Sequence, residues 1–313
     1  MNINQRNYLR KAANLVDPKR SMRNFVAHSR TRWTYRHSHL LSAGEGNQWI
    51  ADAIKNRRAA AVGKIGRSEL KVLSSWKRKS AYDESISEEI FYHSGVFPPT
   101  REALDDFCMQ YSDACREVDL LAVWGASEEY SIVEEFCASS TLCEIEELEP
   151  YYHEKPWSAE LKGLNVLVIS PFVDSIARQF QAKQEIWSQY PAVILPEFNL
   201  KLLKAHHSEA LQPTGYPNWS AMCDDAIRQA SKIEFDVAIV GFGAASLPIC
   251  SALKSEGKFA IHLGGAVQIL FGLLGARWDQ NPKIATFVNS HWSRPAGQER
   301  PLNSQRIERG AYW

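Results

Sequence analysis

The chain has 313 residues, 45% hydrophobic and 23% charged, and its formal net charge is zero. This composition supports a globular protein with a sizeable core and excludes repeat, low-complexity and heptad architectures. The first twenty residues, MNINQRNYLRKAANLVDPKR, hold no apolar stretch of the signal-peptide kind, and the most apolar later stretch, 261–276, is short and interrupted by glycines. The expectation is therefore a cytoplasmic protein.

Charge is segregated although it sums to zero. Residues 1–44 carry nine Arg or Lys and a single acid, Asp17, whereas residues 83–154 carry nineteen Asp or Glu against Arg101 and Arg116. The simplest reading is a pair of solvated faces. The functional alternative is peripheral contact of the basic N-terminal arm with an anionic membrane surface or a lipid-linked phosphate acceptor. No nucleic-acid-reading motif accompanies the basic segment, so no nucleic-acid partner is expected. Six cysteines (Cys108, Cys115, Cys137, Cys143, Cys223 and Cys250) form no CxxC pair and read as reduced core thiols.

In chain order, residues 1–58 read as a helical, basic extension in which Trp33, Tyr35, His37 and His39 pack on the main body. A strand is predicted at Ala59 to Ile65, turning at Gly66 into a helix that carries Val72, Leu73 and Trp76. Pro98-Pro99-Thr100 opens a helix over Arg101 to Val118, with Leu104, Phe107, Cys108, Tyr111 and Cys115 on one stripe. Further strands are expected at Leu120 to Trp124, Thr141 to Ile145, Asn165 to Ser170, Ala192 to Leu195 and Asp236 to Val240. Pro156 to Gly163 reads as a polar connection between sub-structures, and Asn218 starts a helix that buries Trp219, Met222, Cys223, Ala226 and Ile227. Strands alternating with helices predict an α/β protein with a mainly parallel, Rossmann-like sheet and flanking helices over residues 59–313.

Two strand, glycine turn and helix units follow in series from Phe235 to Asp279. The first turn is Gly241-Phe-Gly243-Ala244-Ala-Ser246; the second is His262-Leu-Gly264-Gly265. Glycines at a βα turn bring backbone N–H groups and a helix N-terminus to bear on a phosphate, and ligands of open α/β sheets sit at strand carboxyl ends. Tight helix packing is the alternative use of such turns. A dinucleotide fingerprint fits less well, because Ser246 stands at the last glycine of GxGxxG and the next strand ends in His262 instead of a ribose-binding acid.

Several pieces together resemble the GT-D-fold glycosyltransferases, bacterial proteins acting on surface polysaccharides or glycoproteins. They are Lys64-Ile-Gly66-Arg67-Ser68-Glu69-Leu70, Pro156-Trp157 leading to Leu167 through Phe172, and Phe235 to Gly243 continuing through Leu247-Pro248. The set goes on with Ala260 to Gln268, Phe271-Gly272, Arg277-Trp278-Asp279, Trp292 to Pro295, Glu299 to Pro301 and Tyr312-Trp313. It spans residues 59–313.

The resemblance implies sugar transfer from a nucleotide donor, commonly a UDP-sugar, to a glycan or lipid-linked acceptor. Members carry an Asp-X-Glu pair with a divalent cation, Mn2+ or Mg2+, where this chain has Arg67-Ser68-Glu69, so Glu69 is the one acid left to meet a metal. Arg67 is expected to place its charge directly on the diphosphate. Lys64, Gly66, Arg67, Gly241, Gly243, Ala244, Gly264, Gly265 and Gln268 are assigned to donor binding, and Glu69 and His262 to catalysis as candidate bases. Arg294, Glu299, Tyr312 and Trp313 are assigned to the acceptor site or to a tail closing over the donor. A nucleotide-dependent oxidoreductase and a degenerate, non-catalytic nucleotide-binding partner remain as alternatives.

Overall fold

In the computed structural model, residues 29–190, 192–206, 215–301, 303–307 and 310–313 are described. Most of the basic arm, residues 1–28, lies outside them.

The strands β1 (Ala60–Lys64), β2 (Leu120–Val123), β3 (Thr141–Glu144), β4 (Asn165–Ser170), β5 (Asn199–Lys204), β6 (Val237–Val240) and β7 (Phe259–His262) form one sheet. Their order is β3-β2-β1-β7-β6-β4-β5, and every pairing is parallel. At the centre, Val62 of β1 is in register with Leu120 of β2 and with Ile261 of β7. A parallel sheet is covered on both faces, so its inner strands read as unbroken apolar runs; β2, β6 and β7 are buried along their whole length.

Two apolar cores result, one per face. The first collects α2 (Arg67–Lys77), α4 (Arg101–Arg116), α5 (Glu129–Phe136), α8 (Trp219–Ala230) and α9 (Ser246–Ser255), with α3 (Glu84–Ser94) beside them. The second collects α1 (Glu45–Lys55), α6 (Val173–Gln181), the short α7 (Lys183–Ile186), α10 (Ala266–Leu270), α11 (Pro282–Ala285) and the short 3-10 turns after β3. Fully burying a side chain of the size of Leu73 or Ile261 is worth about 1.5–3 kcal/mol. The predicted caps form: the Thr100 hydroxyl accepts from the Ala103 amide at 3.3 Å, and the Asn218 side chain accepts from the Ala221 amide at 2.8 Å. All six cysteines are free and buried.

Three expectations differ from the structure. Ala192 to Leu195 is not a strand; Ile194 and Leu195 are buried in loop, and the strand of this region is β5, NLKLLK. β5 is the sheet edge, half-exposed and lysine-bearing, which blunts both the apolar signal and the tendency to pair further. The stretch from Pro156 to Gly163 is no exposed connection, because Trp157, Ser158 and Leu161 are buried in a 3-10 turn and the Trp157 indole donates to the Leu148 carbonyl at 3.0 Å. Of the four aromatic residues near the N-terminus, Tyr35 alone is buried; Trp33 is 67% exposed. Ahead of β1, residues 39–41 run beside β3, the Leu41 amide donating to Leu142 O and the Leu142 amide to His39 O.

Candidate functional site

The chain leaves β1 towards the first core, through α2 (Leu70, Val72 and Leu73), and leaves the neighbouring β7 towards the second, through α10 (Val267, Ile269 and Leu270). The two carboxyl ends therefore part to opposite faces, the topology that leaves a crevice between β1 and β7. That is the switch point at which open α/β sheets bind ligands.

On the β1 side, Gly66 caps α2 in extended backbone, and Glu69, 6% exposed, folds its carboxylate back over it. A Cβ on Gly66 would meet the Glu69 carboxylate, so a side chain here would require that carboxylate to move. An acid on the first turn of a helix is favourably placed against the macrodipole, and it also sits close to the buried Tyr111. Arg67 is exposed at the lip, its guanidinium 5.5 Å from the centre of the Trp124 ring, which is pinned by an indole bond of 3.1 Å to the Ile65 carbonyl.

On the β7 side, Lys64, His262 and Gly264 come together. A Cβ on Gly264, whose φ is +57°, would lie 3.3 Å from His262 Cε1 and 3.7 Å from Lys64 Cε. The His262 imidazole is buried. Desolvation first, and the Lys64 ammonium second, push its pKa down to about 3 against a weaker upward pull from the Val240 carbonyl. At neutral pH it is an uncharged ring, too weakly basic to keep a proton, and its Nδ1 has no hydrogen-bond partner among the described residues.

The β6 turn meets the β7 turn directly. A Cβ on Gly241 would lie 2.9 Å from the Gly264 carbonyl oxygen, so this glycine permits close backbone approach. Several amides of the two turns are committed inside the protein, those of Gly241 and Gly264 among the assigned positions. Gly241 N donates to Ile169 O, Phe242 N to the Ser246 hydroxyl, Ala245 N to Phe242 O, Gly264 N to Val240 O and Ala266 N to Leu263 O. Ser246 thus closes the turn that contains Gly243 and Ala244. That bond explains why serine stands where a dinucleotide fingerprint has glycine.

The C-terminal residues dock on the second turn. Tyr312 lies against Gly265, where a Cβ would be 2.9 Å from its ring; its carbonyl accepts from Gln268 Nε2 at 2.9 Å and its hydroxyl from Arg277 at 3.0 Å. Trp313 O accepts from the Ala276 amide at 3.2 Å and from Arg294 at 3.4 Å, and Arg294 pairs with Asp279 at 2.6 Å. Glu299, 2% exposed, accepts from the Asp174, Ser175 and Ala296 amides and from the Ser175 hydroxyl, fastening the tail to the N-terminus of α6. Its carboxylate is an internal acceptor that holds the tail.

Two residues at this place were given no site role by the sequence, although Arg277 belongs to one of the pieces that carry the resemblance. Arg277 lies between Gly265 and Tyr312. Glu149, at the end of the 3-10 turn after β3, feels the charges of both Lys64 and Arg277 and accepts from the Tyr151 hydroxyl at 2.7 Å. Burial pushes its carboxyl up from the ordinary range, with Glu146 adding to the rise while Tyr151, Lys64 and Arg277 oppose it. Nothing in the run Glu144-Ile-Glu146-Glu147-Leu-Glu149 distinguishes the last acid from a solvated charge face.

The residues do not suit a protein-held divalent cation. A hard cation takes six or more oxygens, whereas Glu69 is turned onto its own helix, Arg67 replaces the second acid, and no group of three metal-ligating side chains exists among the described residues. No helix among them is long and apolar enough to cross a membrane.

No family model matches the chain, and no curated protein matches it. Among solved structures the chain is similar to one described as a selenomethionine-substituted structure of domain of unknown function 1792, at 11% identity and a TM-score of 0.36, over 69% of this chain and 82% of that one. The α/β class rests on the sheet itself: seven parallel strands with helices on both faces.

Proposed function

We propose that the chain is a glycosyltransferase that moves a sugar from a nucleoside diphosphate donor, UDP by preference, to a surface polysaccharide or lipid-linked glycan. The observation that supports this reading is that Lys64 lies beside Gly264 and Arg277 beside the adjoining Gly265 on the turn after β7, with Arg67 exposed on the turn after β1. A departing nucleoside diphosphate gains negative charge, and preorganised cations in a partly desolvated cleft stabilise that charge where it develops. Lys64 serves as a point charge, while Arg277 and Arg67 offer planar forks suited to phosphate oxygens. His262, kept neutral beside Lys64, adds hydrogen bonding without further charge.

A second reading, a nucleotide-binding partner without turnover, is favoured by the internally committed turn amides and the lone, folded-back Glu69. The oxidoreductase alternative loses ground for the first of these reasons, since a pyrophosphate at the β6 turn would compete for amides already bonded.

Calorimetric titration with UDP and with NADH, followed by UDP release from a panel of UDP-sugars with and without manganese, tests the proposal. The expected result is UDP binding that weakens at least tenfold in Lys64→Met, and donor turnover in the wild type. NADH binding without UDP binding overturns it, and UDP binding with a silent panel selects the non-catalytic partner.

A further inference from the structure

We infer that Trp124 is the stacking platform for the base of the nucleoside diphosphate, and that Arg67 covers its ring until the nucleotide arrives; this rests on the glycosyltransferase reading above. Trp124 follows β2 directly, and Lys64 of β1 is in register with Ala122, two residues before it. The Trp124 indole donates to the Ile65 carbonyl at 3.1 Å, which ties the ring to the β1 turn that carries Gly66 and Arg67. Its backbone is held as firmly. The Trp124 amide meets both carboxylate oxygens of the buried Glu129, at 3.1 and 3.2 Å, and the Gly125 amide donates to one of them at 2.8 Å. Gly125, at a φ of +75°, packs on Thr31, where a Cβ would lie 2.6 Å from the hydroxyl oxygen.

A ring fixed through both its indole N–H and its backbone, yet still partly exposed, is ordered before a flat ligand reaches it, so binding loses little entropy there. Other tryptophans are engaged within the protein. Trp157 and Trp219 are fully buried, and Trp278, beside Gly265, is edged by Tyr312 and covered by an Arg277 that is itself bonded to the Tyr312 hydroxyl. Over Trp124 lies Arg67, its guanidinium 5.5 Å from the ring centre, which makes no hydrogen bond or ion pair with the described residues. A cation–π contact at an exposed position is weaker than a base stacked on an indole. The base therefore takes the ring and displaces the guanidinium, which is then free to meet the diphosphate. Because β1 lies between β2 and β7, one nucleotide can set its diphosphate beside Lys64 and its base over Trp124. Stacking accepts any base face, so the platform supplies grip and leaves the choice of base to other contacts.

Calorimetry on the full chain with UDP and with inorganic pyrophosphate separates the base from the phosphates. Trp124→Ala should weaken UDP binding roughly tenfold or more and leave pyrophosphate affinity unchanged. Trp124→Phe keeps an aromatic face, so it should hold most of the UDP affinity while losing part of the fluorescence quench that UDP produces in the wild type. Arg67→Met should weaken both ligands alike, and unchanged pyrophosphate affinity in that variant overturns the release of the guanidinium. Unaltered UDP affinity in Trp124→Ala, or an equal loss for UDP and pyrophosphate, overturns the platform while the glycosyltransferase reading stands. Where Trp124→Ala does not fold, Trp124→Phe decides, a quench equal to that of the wild type overturning the platform. A wild type that binds neither ligand and consumes no donor overturns the glycosyltransferase reading, and the platform with it.

Discussion

The Lys64 ammonium and the His262 imidazole share the boundary between β1 and β7, and the first helps to hold the second neutral. Parallel pairing sets this up: the register that aligns Val62 with Ile261 carries the ends of both strands to the same side of the sheet. In the folded protein the His262 pKa is lowered to about 3 from 6.5, so its contribution to stability is present above the unfolded value and is lost as pH falls towards 3. The imidazole resonances of His262 should not titrate between about pH 5 and 8. Lys64→Met should raise the pKa, though not to the free value, because burial is the larger cause. An imidazole titrating near 6.5 in the wild type would refute the arrangement.

A second buried acid acts in the opposite sense. Glu129 accepts from the Trp124 and Gly125 amides, the latter at 2.8 Å, and from the Tyr35 hydroxyl at 3.2 Å. Burial nevertheless raises its pKa to about 7 from 4.5. Its contribution is complete below the unfolded value and disappears as pH rises through about 7, a change on the order of 3 kcal/mol. Denaturant unfolding at pH 5 and pH 8, compared between wild type and Glu129→Gln, should show that difference shrinking in the variant. Equal pH dependence in the two proteins would contradict the buried, protonated acid.

The docked tail offers a third expectation. A Cβ on Gly275 would lie 2.4 Å from the Ala311 carbonyl and 2.7 Å from Tyr312 backbone atoms, which cannot swing aside as a side chain can. Gly275→Ala should therefore release residues 310–313 from the β7 turn at a cost of about 1–3 kcal/mol. Limited proteolysis should cut the variant's C-terminus faster while the sheet stays protected. Unaltered cleavage would mean that the tail is held elsewhere.

Six of the seven strands, both capped helices and the parallel α/β class were legible in the sequence because each depends on local pattern: apolar runs, turn glycines, and Thr100 or Asn218 at a helix start. β5 was not, since an edge strand with lysines at two positions carries no continuous apolar signal. Sequence also marked Lys64, His262, Gly264, Gly265, Gln268 and Tyr312, which lie together in space.

Only the tertiary structure decided how those groups are used. Whether a turn amide faces a ligand or its own protein depends on which carbonyl or hydroxyl packs against it, and Ser246 and Val240 claim those of Phe242 and Gly264. Glu149 and Glu299 look alike in one dimension. The first has its carboxyl pushed up by burial and feels the charges of Lys64 and Arg277, while the amides at the start of α6 give the second a structural task. Charge follows from composition, but its effect depends on distance and desolvation, which long-range packing sets.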